Sequence, residues 1–185
     1  MMNISFSEPE RLKAIFDSEN REEWQKTSHI IRSLALKENE IIADIGAGTG
    51  YFSEIFSHTI KEGKIYSIDC EPNMVAYMRN RFSSEAFNNI KVILSQPDDP
   101  SIPPRVDTVF IANTYRFIQD RDAFLNKMRS QTSRKTKFVI VDFRGSNARV
   151  SPQLAIDEVQ RAGFEVVDFD VAGCPEHYIL TFTLN

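Results

Sequence analysis

Seven glycines serve the whole chain, and three of them crowd into one heptapeptide, Asp44-Ile45-Gly46-Ala47-Gly48-Thr49-Gly50. The β-branched run from Ile41 to Ile45 precedes the cluster and a helical pattern follows it, so the glycines mark a strand–turn–helix junction. Glycine suits such a turn because the chain must reverse sharply and let a ligand lie against bare backbone. The helix that follows offers unpaired N–H groups and the positive end of its dipole. Asp69 stands 19 residues past Gly50, at the end of a second strand. A carboxylate there can accept both hydroxyl hydrogen bonds of a ribose. The pattern predicts a seat for a nucleoside.

Spacing narrows the nucleoside. A dinucleotide fingerprint wants a third small residue at the sixth position, and here that position is Tyr51, which would crowd a pyrophosphate. A P-loop is excluded because Gly-Lys-Ser/Thr is absent. The Gly-x-Gly-x-Gly run fits a ligand without phosphates.

The elements that must hold these residues alternate between short apolar runs and helical stretches of 10–15 residues. Helices are expected at 22–36, with Trp24, Ile31, Leu34 and Ala35 on one face, and at 50–60, from Pro72 through Phe82, at 121–132, and from Leu154 to a glycine cap at Gly163. Strands are expected at 41–46, 64–69, 90–94, 106–112 and 137–143. The last 22 residues hold two strands joined by a short turn around Gly173-Cys174-Pro175, which must pair as a hairpin. The fold expected is a doubly wound α/β sheet of five parallel strands with an antiparallel ending.

Composition agrees with one ordinary domain. At 185 residues, folding hides roughly 70% of the unfolded surface. With 42% hydrophobic and 26% charged residues, the chain is neither a disordered nor a collagen-like class. No run reaches the length of a membrane span, and Met1 to Glu10 shows no secretion signal. The charge of −4 argues against a nucleic-acid binder, despite the basic stretch Lys127, Arg129, Arg134, Lys135 and Lys137, which reads as a solvated helix end and loop. Two distant cysteines, Cys70 and Cys174, have no metal-ligand spacing and point to a reduced cytoplasmic setting without a metal.

The run Asp44-x-Gly46-x-Gly48-x-Gly50, with Asp69 and the terminal strand pair, resembles the class I S-adenosylmethionine-dependent methyltransferases from about Ile41 to the end. A bacterial small-molecule branch of that family is similar at Ile42 to Phe52, Ile68 to Met74, Asp98-Asp99-Pro100 with Ile102-Pro103, and Tyr178 to Phe182. The resemblance implies a seven-stranded sheet in the order 3-2-1-4-5-7-6 with strand seven antiparallel. It divides the chain into residues 1–40, a helical segment in which Leu12, Ile15 and Phe16 could form a lid, and residues 41–185, the S-adenosylmethionine-binding domain. By the same resemblance Gly46, Gly48 and Gly50 would pass under the methionine and ribose, Asp69 would hold the ribose, and Asp98 or Asp99 would meet the adenine. Asn113 would lie beside the transferred methyl or cap its strand, and Asp44 would touch the ligand or merely brace the turn.

Methyl transfer from a sulfonium needs little acid–base machinery, because positioning alone can remove on the order of 7–11 kcal/mol from the barrier. Tyr115 and Arg116, after strand four, are the acceptor-side catalytic candidates; Asp142, Arg144 and His177, with Tyr178 beside it, are the substrate-binding ones. Arg116 and Arg144 together would favour an anionic acceptor. Related proteins carry histidine where this chain has Tyr115-Arg116-Phe117, and a glycine turn where Ser130 to Thr136 has none. The expected activity is methyl transfer to a small molecule by a monomer or homodimer, with neither nucleic acid nor membrane as partner. A non-catalytic binder of the same cofactor is the alternative. A nicotinamide enzyme conflicts with Tyr51, and Asn113-Thr114-Tyr115-Arg116 lacks both prolines of the DNA amino-methylation motif.

Overall fold

A computed structural model describes residues 6–18 and 20–185. The N-terminal part holds α1 (Pro9–Phe16), α2 (Arg21–Gln25) and α3 (Thr27–Leu34). Seven strands follow: β1 (Ile41–Ile45), β2 (Lys64–Asp69), β3 (Ile90–Leu94), β4 (Thr108–Ala112), β5 (Lys137–Phe143), β6 (Phe164–Asp170) and β7 (His177–Leu184). Between them lie α4 (Tyr51–Thr59), α5 (Pro72–Arg81), α6 (Arg121–Gln131) and α7 (Pro152–Arg161). The sheet runs β3-β2-β1-β4-β5-β7-β6, and β7 is antiparallel to both neighbours, as expected. Among the described residues no helix is long and apolar enough to cross a membrane.

Helix starts follow their caps. Glu71, Asp120 and Ser151 each accept a hydrogen bond from the backbone N–H of the first turn of α5, α6 and α7. Pro72 and Pro152 occupy first-turn positions where a missing N–H is harmless.

Strand side chains alternate, and the alternation sorts the molecule into two layers. Ala43, Ile45, Val109, Ile111, Phe138, Ile140 and Leu180 face α6 and α7. Ile42, Ile65, Phe110, Val139, Val141 and Ile179 face α3 and α4. A third cluster, Val75, Met78 and Phe82, packs α5 against Ile90 and Val92.

The helix expected over 22–36 is instead two helices. Lys26 breaks them in the left-handed region, at φ 55°. The break lets two sets of side chains take different directions: Ile30 and Leu34 pack on the sheet, while Arg21 and Trp24 reach the carboxyl ends of the strands. Ala35, expected on the apolar face, is exposed and also left-handed.

Candidate active site

A cavity of about 400 Å³ opens on the α3–α4 face, at the carboxyl ends of β1, β2 and β4 and beside the meeting of β5 with β7. Strand parity decides what lines it. Asp44 shares the face of Ile42, Asp69 that of Ile65, Phe143 that of Val139 and His177 that of Ile179, and all four line the cavity. Gly46, Gly48, Asn113 and Arg116 line it too.

One end is acidic and built on backbone. Asp69 accepts from the Gly48 N–H at 2.8 Å and, through its other oxygen, from the Glu71 N–H at 2.9 Å. Burial raises its pKa, and these two N–H groups pull it back. Asp44 accepts from the Ser53 hydroxyl at 2.7 Å, and Ser53 accepts in turn from Ser67 at 2.7 Å. Burial pushes the Asp44 carboxyl up to about 7. The Ser53 bond opposes that rise, whereas the nearby Asp69 adds to it.

The three glycines differ in what they admit. A Cβ on Gly46 would fall 2.2 Å from the Thr114 hydroxyl, and one on Gly50 would fall 2.6 Å from the Phe82 ring. Only a Cβ on Gly48 would meet nothing tighter than 3.5 Å, against the Phe16 ring of α1. All three have positive φ, so the turn itself wants glycine. The expectation that Gly46 to Gly50 as a whole bares backbone for a ligand is corrected for Gly50. It does not line the cavity, and its missing side chain makes room for α5.

The other end is aromatic. Phe6, Trp24, Phe117 and Phe143 stand around it with Asn113, Arg116 and His177. Asn113 is held left-handed at φ 56°, and its Oδ1 accepts from His177 Nε2 at 2.9 Å. His177 is 3% exposed, and burial, then Arg116, Arg21 and Arg144, push its pKa down to about 4. Arg116 is paired with Asp142, which also accepts the Arg116 backbone N–H at 2.9 Å.

Several predicted site residues lie elsewhere. Tyr115 is fully buried on the α6–α7 face, where it donates to Glu158 at 2.7 Å. Tyr178 belongs to that same buried layer by strand alternation. Asp142 is two residues on from that layer's Ile140, hence on the same face, and it braces Arg116 from behind the sheet. Arg144 donates to the Pro175 carbonyl at 2.9 Å and so ties down the turn before β7. Asp99 faces α6, accepting from Gln131 at 2.6 Å, while Asp98 is exposed on the same loop; neither lines the cavity. The pairing of Arg116 and the diversion of Arg144 remove the argument for an anionic acceptor.

Arg21, Cys70 and Met74, outside the expected site residues, complete the walls together with two residues of the expected lid, Ile15 and Phe16. Arg21 is buried, its Nη1 bonded to the Phe16 carbonyl and its guanidinium 4.0 Å from the Tyr51 ring centroid. Phe16 and Ile15 bring α1 over the glycine turn, and Cys70 with Met74 borders Asp69. His29 meets Asp170 at 2.7 Å and anchors the hairpin to α3. Among the described residues no cluster of three or more His, Cys, Asp or Glu side chains could hold a metal.

Sheet order, glycine turn and facing carboxylate together define a Rossmann-like nucleoside-binding protein. The chain belongs to the methyltransferase domain family, whose model matches residues 36–181. A malonyl-[acyl-carrier protein] O-methyltransferase of Acetivibrio thermocellus is 26% identical over 87 residues, 47% of this chain and 30% of that protein. A tRNA(Phe) (4-demethylwyosine(37)-C(7)) aminocarboxypropyltransferase of Methanocaldococcus jannaschii is 28% identical over 94 residues, 45% of this chain and 38% of that protein. The chain therefore matches well under half the length of either relative. Among solved structures, a SAM-dependent methyltransferase from Aquifex aeolicus superposes with a TM-score of 0.83 at 20% identity, covering 99% of this chain and 100% of that one. The glycopeptide N-methyltransferase MtfA complexed with S-adenosyl-L-methionine gives 0.73 at 12% identity, covering 86% and 87%. At such identities the likeness is one of fold.

Proposed function

We propose that the cavity binds S-adenosylmethionine and that the chain transfers its methyl group to a small molecule. The observation that carries this is the Asp69–Gly48 contact. A carboxylate fixed by two backbone N–H groups faces a glycine turn in the same cavity as Asp44. The donor set fits the cofactor. Its ribose hydroxyls find Asp69, its cationic ammonium and sulfonium find Asp44, and its carboxylate finds Arg21, which is still protonated at neutral pH with a pKa lowered by burial to about 10.

S-adenosylmethionine supplies an already activated methyl group on sulfur. The residues of the chain then have to hold, orient and exclude water: α1 covers the turn with Phe16, and the aromatic end shelters the acceptor. A small acceptor is supported by the cavity volume of about 400 Å³ and by the acidic net charge of −4, which disfavours polyanions.

Calorimetry with S-adenosylhomocysteine tests the cofactor half. The wild-type chain should bind it saturably, and Asp69→Asn should weaken binding about tenfold to a hundredfold while unfolding at a similar temperature, the usual worth of a hydrogen bond to a charged group. Normal binding by a folded Asp69→Asn, or saturable binding of NADH, would overturn the reading. A labelled-methyl screen over metabolite pools separates a transferase from a binder that has lost turnover.

A further inference from the structure

His177 holds its two ring nitrogens in different states. Nε2 lies 2.9 Å from Asn113 Oδ1, an oxygen on which Arg116 Nη1 also converges at 3.5 Å. An oxygen facing two nitrogens must accept, so Nε2 carries the proton. Nδ1 is then a bare lone pair, and it is buried with no hydrogen-bond partner among the described residues. A buried acceptor without a donor is uncommon and calls for an explanation. The ring forms part of the cavity wall at its aromatic end, packed against Trp24 at 5.6 Å between centroids and against Phe143 at 6.2 Å.

The surroundings select what can meet that lone pair. Arg116, Arg21 and Arg144 all bear on His177 with positive charge, which repels an ammonium and favours an acceptor that becomes an anion. Arg116 is already paired with Asp142 and Arg144 is bonded to the Pro175 carbonyl, so neither of these two waits for a preformed carboxylate. Phe6, Trp24, Phe117 and Phe143 provide apolar, ring-shaped contact.

We propose that His177 Nδ1 is the proton acceptor for an aromatic hydroxyl, so that the acceptor class of this enzyme is a phenol. The proposal rests on the cavity being the methyl-transfer site. As the oxygen takes the methyl group, its O–H bond breaks and an Nδ1–H bond forms. The carbon–sulfur bond gives its electron pair to sulfur, leaving neutral S-adenosylhomocysteine, and the imidazolium later loses its proton to water. The low pKa of His177, about 4, keeps Nδ1 unprotonated across the neutral range, and a phenolate oxygen beside it raises its basicity during the reaction. Nδ1 is closed to solvent among the described residues, so a phenol reaches it only when the His177 ring or the rings packed on it, Trp24 and Phe143, shift.

The chain has three histidines and one tryptophan, so two spectroscopic probes are unambiguous. Nitrogen NMR of histidine-labelled protein saturated with S-adenosylhomocysteine should show His177 as the Nε2–H tautomer. Added phenol should shift its Nδ1 resonance, leave His58 unmoved and change the Trp24 fluorescence. In turnover, His177→Gln should slow methylation of phenol about a hundredfold but that of para-nitrophenol, largely ionised in mild alkali, less than about tenfold. Equal losses on the two phenols, a silent Nδ1 resonance, or a wild-type enzyme that methylates neither phenol would overturn the proposal. Failure to bind S-adenosylhomocysteine at all would instead strike the cofactor reading, and this proposal with it.

Discussion

The Arg81 guanidinium, at the end of α5, donates to the Asp17 carboxylate at 2.6 Å and ties the end of α1 to the body of the fold. Asp17 also accepts from the Thr49 hydroxyl at 2.8 Å, and Arg81 donates to the Thr49 carbonyl at 2.9 Å. Glycine turn, α1 and α5 thus share one knot, with Glu54 as a further partner of Arg81. The lid expected from Leu12, Ile15 and Phe16 has, in this knot, the attachment it would need.

Cutting the knot should loosen α1 more than the sheet. Arg81→Met should cost about 1–2 kcal/mol in stability, discounted for its partial exposure. A double-mutant cycle with Asp17→Ala should give a coupling of roughly 0.5–1.5 kcal/mol. Limited proteolysis near residues 6–18 should accelerate in both variants, and S-adenosylhomocysteine should dissociate faster by stopped-flow Trp24 fluorescence. Additive effects on stability with an unchanged off-rate would show that the contact is an ordinary surface pair.

The glycine turn separates fold from binding. Gly46→Ala would set a methyl group against Thr114 at a φ of 70°, so we expect a loss of at least about 2 kcal/mol in stability, visible as a lowered melting temperature. Gly48→Ala meets only the Phe16 ring at 3.5 Å, so its stability cost should stay near the left-handed penalty of about 1–2 kcal/mol. Its effect should fall on affinity for S-adenosylhomocysteine, by weakening the close approach. If Gly48→Ala binds as well as the parent, the ligand does not lie against that backbone.

Much of this architecture is legible in the residues, because the features concerned are local. A β-branched run, a glycine turn and an acid at the next strand end are each set by a few neighbours, and β1, Asp44 and Asp69 fall where that logic puts them. Strand parity sorts the acceptor side: Val139, Val141 and Phe143 alternate onto one face, which leaves Asp142 and Tyr178 on the other. The loop with Asp98 and Asp99 is a different case. Its direction is fixed by Gln131 and Lys127 on α6, contacts about thirty residues away with no local mark. Nor does the sequence signal the break at Lys26, where a non-glycine residue turns left-handed and thereby delivers Arg21 and Trp24 to the cavity. At Tyr115 the pattern is silent because a short 3-10 turn, Tyr115–Phe117, sends Tyr115 to one side, where it is buried, while Arg116 and Phe117 reach the cavity.

Asp44 should make both stability and binding depend on pH, in opposite senses. Its folded pKa of about 7 lies above the ordinary carboxylate value of 3.8, so the folded chain holds this proton more tightly than the unfolded one. The stabilisation it brings is therefore present at low pH and lost as pH rises from about 4 to 7, at no more than about 1.4 kcal/mol per pH unit. Asp69 shifts in the same direction. His177, lowered to about 4, opposes them, because it loses stability as pH falls below about 6.5. Comparing Asp44→Asn with the parent isolates the first contribution: the melting temperature of the variant relative to the parent should rise between about pH 5 and 8. Binding runs the other way. The cationic groups of S-adenosylmethionine favour ionised Asp44, so affinity should increase as pH approaches 7 and level off above it, with a proton released on binding near pH 6. Calorimetry in two buffers of different ionisation heat reads that proton directly, and Asp44→Asn should abolish its release. Release that persists in the variant would assign the proton to another group and leave Asp44 a brace of the turn through Ser53.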